Sequence, residues 1–327
     1  MKRRHVLQGL ATAASTALPQ SVFGQRPESP LIGFLGMTEQ DDDIVKPFLD
    51  GLAGAGFSVG RNVAIHYAWA NGNPARLPAL VAELLNRNVA VIVTSGGHVT
   101  ARAAQAATRS VPIVFEVGAD PAASGLVASL KRPGGNMTGV HMLTNDLNVK
   151  RLDLLHQMVP RAMIIGLLTN PTQPRVQGTE EKVRDAAAAL GLRVQVAHAG
   201  AEGEFDAAFA TLAGSRVGAL LVGNDPFFNS KRGKLVALSN RHGLPSIFEW
   251  RSFTAIGGLM SHGTHFADAL RQVGDHTARI LKGALPADLP VVQSRRFELV
   301  INRKTAAALG LVIPQSLLLL QADEVIE

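Results

Sequence analysis

Short apolar runs alternate with helix-forming stretches along almost the whole chain, and this alternation limits the possible folds more than any other feature. Leu31–Leu35, Val63–Ala70, Val89–Thr94 and Ile113–Val117 read as strands. Between them Ile44–Leu52 reads as a helix. Arg76–Asn86 carries Leu77, Leu80, Val81, Leu84 and Leu85 at i, i+3, i+4, i+7 and i+8, one face of a helix. A further helix covers about 100–108. The β-branched run Val89–Thr94 suits a strand buried on both faces. Strands and helices in succession predict a parallel sheet covered by helices. The series then starts again. Ile164–Thr169, Val194–Ala197, Ala219–Val222, Ser246–Phe248 and Gly258–Met260 read as strands, and Asn148–Met158, Glu180–Leu190, Lys231–Arg241 and Phe266–Leu281 as helices. A chain of 327 residues has room for two domains, so the expected fold class is α/β, with two lobes of similar size.

The stretch 113–143 joins the two series. A strand, Ile113–Val117, ends in the polar loop Gly118-Ala119-Asp120-Pro121; a helix over Ala123–Leu130, a turn at Arg132–Asn136 and a second strand, Met137–Met142, are expected to follow.

Open α/β sheets bind ligands outside the carboxyl ends of their strands. In the first half those ends carry Met37 and Thr38, then Ser95, Gly96, Gly97 and His98, then Asp120. In the second half they carry Asn170, Asp225 with Phe227, Glu249 and Ser261. Ser95-Gly96-Gly97, between a strand and a helix, either presents free backbone N–H groups to a ligand carboxylate or is a turn that needs glycine for its own conformation. Asp120 either accepts from a ligand ammonium or N-caps the helix that follows Pro121. Phe227 and Trp250 either face a ligand ring or pack in the core. Asp41-Asp42-Asp43 complements the dipole of the helix behind it.

Catalytic and cofactor signatures are missing. The chain has no H-E-x-x-H, no G-x-S-x-G and no G-x-x-x-x-G-K-[ST]. Gly54-Ala-Gly56-Phe-Ser-Val-Gly60 follows a helix and precedes a strand, the reverse of a dinucleotide loop. His262 and His265 lack a nearby third metal ligand, and no cofactor or metal is expected. The absence of cysteine excludes disulfides, thiolate metal sites and a cysteine nucleophile. The first 24 residues have a basic start and a modest apolar middle, Val6–Leu18, and read as an export signal cleaved after Gly24. Arg3-Arg4 leaves both the twin-arginine and the general secretory route open. Without Lys2, Arg3 and Arg4 the formal charge falls from +6 to +3, too mild and scattered for nucleic acid.

The sequence also resembles a known family. The segments IGFLG, GLAGAGFSVGRNVAIHYAWANGN, DPAASGLVASLKRPGGNMTGV, TNPTQP, GNDPFF, GLPSIFEWRSFTAIGGLMSHG and FELVINRKTAAALGLVIPQSLLLLQADEVI run in order through nearly the whole chain. They are similar to the substrate-binding proteins of ABC transporters of the tryptophan- and tyrosine-binding type. That resemblance implies a type I periplasmic-binding fold: two Rossmann-like lobes with parallel sheets and three crossings. The first lobe would hold 30–142 plus 258–283, the second 143–257 plus 284–327. Crossings would fall near Met142–Asn145, Thr254–Gly258 and Gly283–Pro290. It implies a monomeric, non-enzymatic periplasmic protein that captures an amino acid or other small carboxylate and delivers it to the transmembrane subunits of an ABC permease. By position it carries ligand contacts onto Ser95–Gly97, Asp120, Asn170, Asp225 and Ser261, while His98 and His262 depart from the expected pattern. A sensor subunit for a membrane receptor is the alternative reading, and an α/β enzyme a more distant one.

Overall fold

A computed structural model of the protein describes residues 29–144, 147–173 and 176–327. The expected export segment, 1–24, lies outside the described residues, as does Asn145 of the first expected crossing.

The first sheet is built from β1 (Leu31–Gly36), β2 (Ala64–Trp69), β3 (Val91–Ser95), β4 (Ile113–Val117) and β5 (Met137–His141). Helices α1 (Asp42–Gly54), α2 (Leu77–Asn86) and α3 (His98–Ala107) connect them. The second half contains α4 (Asn148–Met158), β6 (Ile164–Thr169), α5 (Val176–Ala189), β7 (Arg193–His198), α6 (Phe205–Gly214) and β8 (Ala219–Val222). It continues with α7 (Pro226–Ser230), α8 (Arg232–Arg241), β9 (Ser246–Phe248), α9 (Arg251–Ala255), β10 (Met260–Thr264) and α10 (Phe266–Leu281). The chain closes with β11 (Val292–Gln293), β12 (Phe297–Asn302), α11 (Arg303–Ala308), α12 (Gln315–Leu320) and β13 (Glu324–Ile326).

Two sheets result, as the alternation demands. One is parallel throughout, in the order β11-β5-β4-β3-β1-β2; the other runs β13-β12-β10-β9-β8-β6-β7, with only the β10–β12 pair antiparallel. Strands β3 and β4 are buried along their whole length, so both faces are covered, as a parallel sheet requires. In each sheet the strand order reverses once among the central strands, between β1 and β3 and between β6 and β8. Side chains that follow those strands therefore open into a crevice.

Two boundaries differ from expectation. Strand β10 belongs to the second sheet, where it pairs with β9 on one side and β12 on the other. Residues 258–264 thus lie in the second lobe, and Thr254–Gly258 is no crossing. Only with α10, which packs on α1 and on β3–β5, does the chain return to the first lobe. Gly283–Pro290 connects α10 to β11, which pairs with β5, so both ends of that segment stay in the first lobe. The chain crosses between β5 and α4, at 264–266 and at 294–296. The three crossings lie side by side: Thr264 Oγ1 donates to the Met142 carbonyl, Ser294 N–H to His141 O, and His265 N–H to Arg296 O.

The expected helix over Ala123–Leu130 is absent. Residues 121–125 form turns, and Gly125 at φ +74 breaks any helical run. In α1, Gly51 is more than a helix stop: a side chain there would strike the Arg271 carbonyl, and one at Gly274 the Phe48 carbonyl. These two glycines let α1 and α10 touch through their backbones.

Candidate functional site

A cavity of about 900 Å³ lies where the carboxyl ends of the two sheets face each other. Met37, Thr38, Ser95, Gly96, Gly97, His98, Asn170, Asp225, Phe227 and Glu249 all line it. Asp120 and Ser261 do not. Asp120 is exposed, and its Oδ1 accepts from the backbone N–H of Ala122 at 2.8 Å and of Ala123 at 3.2 Å. Its role is to cap the turn that Pro121 opens. Ser261 is buried inside β10, paired in register with Phe248 and Val300, which holds it behind the wall.

On the first-lobe side, β3 delivers Ser95 into a turn made of two glycines at φ +120 and +73. At Gly96 a Cβ would collide with that of Met37, so no other residue fits this position without rearrangement. The turn is a cradle for a carboxyl group, and the carboxyl in it belongs to the protein. Glu116, on β4, accepts from the Gly96 N–H at 2.7 Å and from Ser95 Oγ at 3.3 Å. Sequence reasoning passed over Glu116. Burial pushes its carboxyl up to about 7; the N–H groups of Gly96 and Gly97 and the Ser95 hydroxyl pull the other way. The Gly96 N–H, one of the groups expected to meet a ligand carboxylate, donates to Glu116, and the turn lines the cavity. His98 opens α3 and hydrogen-bonds Ser124 Oγ at 2.8 Å.

On the second-lobe side the groups are side chains. Asn170, after β6, accepts from Thr172 N–H and Oγ1 at 3.0 and 2.8 Å. Asp225, after β8, caps α7: one oxygen accepts from Phe227 N–H at 2.7 Å and Phe228 N–H at 3.3 Å. Its other oxygen is buried and accepts no hydrogen bond among the described residues. Burial raises the Asp225 carboxyl, opposed by the Asn170 side chain, the two capping N–H groups and Gln173. Glu249, after β9, is pushed up to about 8 by burial and by the charges of Glu116 and Asp225, while Arg151 and Thr144 counter the rise.

Arg151, on α4, was also missed. It is fully buried and lies behind the cavity wall, where it ties the first crossing to β10. Nε donates to His262 O at 2.8 Å, Nη1 to Asn148 Oδ1 at 2.7 Å and Nη2 to Thr144 O at 3.0 Å. Burial, with Arg151 nearby, lowers His262 to about 4, which keeps its ring neutral at neutral pH. His265 instead caps α10 and faces Asp268 and Glu298. Among the described residues no group of His, Asp and Glu converges closely enough to hold a metal ion.

Aromatic faces complete the cavity. Trp250 packs on Phe266 with ring centroids 4.7 Å apart, and Phe227 stacks on Phe205 at 5.5 Å. At the mouth, Arg232 of α8 reaches across to Asp41, the cap of α1, at 2.8 Å, joining one lobe to the other.

The sequence model of the family described as ABC transporter substrate binding protein matches residues 37–326. A tyrosine-binding protein of Clostridioides difficile (strain R20291) is 25% identical over 272 residues, which is 83% of this chain and 77% of that protein. Among solved structures, a conserved domain protein from Vibrio cholerae superimposes with a TM-score of 0.83 at 27% identity, covering 91% of this chain and 100% of the other. An ABC domain from Streptococcus pneumonia in complex with L-Trp gives 0.82 at 27% identity, with the same coverage. That family comprises binding proteins, not enzymes, and its solved members share the two-lobed type I periplasmic-binding fold. The chain belongs to the ABC transporter substrate-binding protein family.

Proposed function

We propose that this protein captures a small solute of the amino-acid kind between its lobes and hands the closed, loaded form to the transmembrane subunits of an ABC permease. It works as a monomer in the periplasm, after export on its first 24 residues. The observation that carries this reading is the cavity itself. About 900 Å³ is bounded by groups that follow the central strands of both sheets, and bending at the crossings would widen or close such a space. Cavities of this size suit small solutes, with apolar walls giving enclosure and a few polar groups giving orientation. Trp250, Phe266 and Phe227 supply apolar wall suited to an aromatic side chain, in keeping with the tyrosine-binding relative and the relative solved with L-Trp.

Scavenging requires a Kd of order micromolar or below, or ~8 kcal/mol. A thermal-shift screen over amino acids identifies binders, because a ligand of the folded state raises Tm by mass action. Small-angle scattering then reads closure: each binder should reduce the radius of gyration. A protein whose dimensions never change with any binder would not be a closing receptor.

A further inference from the structure

We propose that Glu180, which lies outside the cleft, is a positioning residue for solute recognition: it takes the Thr169 hydroxyl proton and so turns that hydroxyl into an acceptor for the N–H or O–H on the ring of an aromatic solute. This rests on the solute-capture reading and adds to it one specificity-determining contact. Thr169 is the last residue of β6, beside the point where the strand order of the second sheet reverses, and it lines the cavity. Its Oγ1 lies 2.7 Å from Glu180 Oε1. Glu180 belongs to α5, does not line the cavity and is only 6% exposed.

The direction of that hydrogen bond follows from the groups on the far side of Glu180. Arg184, one turn further along α5, faces Oε2 at 3.5 Å, and His198 Nε2 faces Oε1 at 2.9 Å. A guanidinium offers only donors, and the carboxylate paired with it only accepts. The hydroxyl is then the donor, and what it has left for the cavity is its lone pairs. The sheet holds this row in place, because Thr169 and His198 pair in register across β6 and β7. Arg184 and His198 are about half exposed, so the row runs from solvent through a buried carboxylate to the cavity wall.

Folding alone does not account for a carboxylate at this place. Glu180, Val183 and Ala187 are the buried residues of α5, at i, i+3 and i+7, so Glu180 occupies a core position. A leucine would fill it. A buried ion pair is costly to form, and its replacement by apolar side chains is often neutral or stabilising. The neighbouring Thr172 hydroxyl donates within its own loop, to Asn170 Oδ1 at 2.8 Å, whereas Thr169 reaches a charge eleven residues on. Across the cleft the Ser95 hydroxyl is held in the same sense, with its proton on Glu116 at 3.3 Å. An acceptor fixed in this way suits a phenol O–H or an indole N–H and has nothing to meet on a bare phenyl ring. A site built to hydrogen-bond such a group discriminates strongly against the analogue that lacks it.

The test is isothermal titration calorimetry on the full chain with L-tyrosine, L-tryptophan and L-phenylalanine, alongside Tm of the ligand-free protein. The tighter of the first two should bind about tenfold or more better than L-phenylalanine. Thr169→Val should remove most of that preference while leaving L-phenylalanine nearly unchanged, which a general disturbance of the fold would not do. Glu180→Leu should lower the preference by about threefold or more and add nothing once Thr169→Val is present, since the two act through one contact. Glu180→Gln, whose oxygen can still take the hydroxyl proton, should restore most of it. The double variant, Thr169→Val with Glu180→Leu, should melt no lower than wild type. A second measurement needs no ligand and does not depend on Glu180→Leu folding. The chain has no cysteine, so Thr169→Cys introduces a single thiol, and its infrared S–H stretch should sit at the low frequency of a thiol that donates to a carboxylate. The assignment is overturned if L-phenylalanine binds as tightly as the other two, if Thr169→Val weakens all three alike, or if the thiol band is that of a non-donating group. Compaction of the chain by another amino acid, with none of the three probes binding, would sink this contact but leave the solute receptor standing. Failure of every amino acid to compact the chain would remove both.

Discussion

The two walls of the cleft hold their acids in different ways. The first-lobe wall is backbone: two glycines in left-handed conformations wrap Glu116, which has N–H donors of its own. The second-lobe wall is made of side chains. Glu249 relies on the charge of Arg151 behind it, and Asp225 has one oxygen with no donor among the described residues. The first wall is therefore complete without a ligand, whereas the second is balanced by one buried guanidinium. Perturbing Arg151 should break the second wall outright, while the first wall should fail only through its backbone.

The largest effect is expected from Arg151→Met. The variant strips donors from Thr144 O, His262 O and Asn148 Oδ1 and leaves Glu249 without a counter-charge. Breaking a buried charge cluster in this way costs ~3–5 kcal/mol. Urea unfolding should show it as a fall in midpoint with little change in slope. A loss below ~1 kcal/mol would mean that Arg151 does not hold the first crossing to β10.

The next largest effect separates the walls by pH. Both glutamates have folded pKa values above the usual carboxylate range, so between about pH 4.5 and pH 7 or 8 the native state binds more protons than the unfolded chain. Stability of the ligand-free protein then falls as pH rises through that window and levels off above it. A tenfold difference in proton affinity between the folded and unfolded chain corresponds to ~1.4 kcal/mol, so the two acids together lower stability by roughly 8 kcal/mol across the window. Glu249→Gln should flatten more of this slope than Glu116→Gln, because Glu249 is the more perturbed, and both should raise Tm at pH 8.5 while leaving it nearly unchanged at pH 4.5. Thermal melts at the two pH values decide it, and a larger effect from Glu116 would reverse the order of the walls.

A third prediction concerns the first wall's backbone. Gly96→Ala forces a side chain into Met37 at a φ of +120. Backbone strain of this sort costs ~1–3 kcal/mol. It also displaces the N–H that Glu116 accepts, so ligand affinity should fall together with Tm. Thr38→Ala, whose hydroxyl bonds only the neighbouring Glu39 carbonyl at 3.1 Å among the described residues, serves as the control for Tm alone on the same wall.

These walls were legible in the sequence to different depths. The loops could be placed because parallel strands send their carboxyl ends to one side, a topological consequence of the alternation. Which group on a loop meets the cavity depends on contacts between distant segments. Asp120 has the right place but turns back to cap its own turn. Ser261 was displaced because β10 pairs on both sides, and strand pairing across such separations leaves no local trace. Glu116 did leave one: a charged residue inside the apolar run IVFEV must find a partner when that strand is buried, and the glycine turn beside it was the place to look. Arg151 left none, since in NVKRLDLLHQM it looks like any charged residue on a helix surface.

The smallest effect tests the contact between the walls. Asp41 performs two tasks with different atoms: Oδ1 caps α1 by accepting from Asp43 N–H, and Oδ2 pairs with Arg232 on the opposite lobe. Asp41→Asn keeps a capping oxygen, and Asn caps as well as Asp does, so the substitution isolates the ion pair. Both side chains are partly open to solvent, and such pairs are worth ~0.2–1 kcal/mol. Because the bond exists only when the lobes meet, that energy biases closure and should appear in ligand affinity as a loss of about two- to fivefold, with Tm of the unliganded protein hardly moved. Salt sharpens the reading. At 0.5 M salt, screening should already have weakened the pair, so wild type and Asp41→Asn should converge in Kd there while differing at 20 mM. Equal affinities at low salt would show that the Asp41–Arg232 pair forms without holding the lobes closed, and closure would then rest on the solute and the buried acids alone.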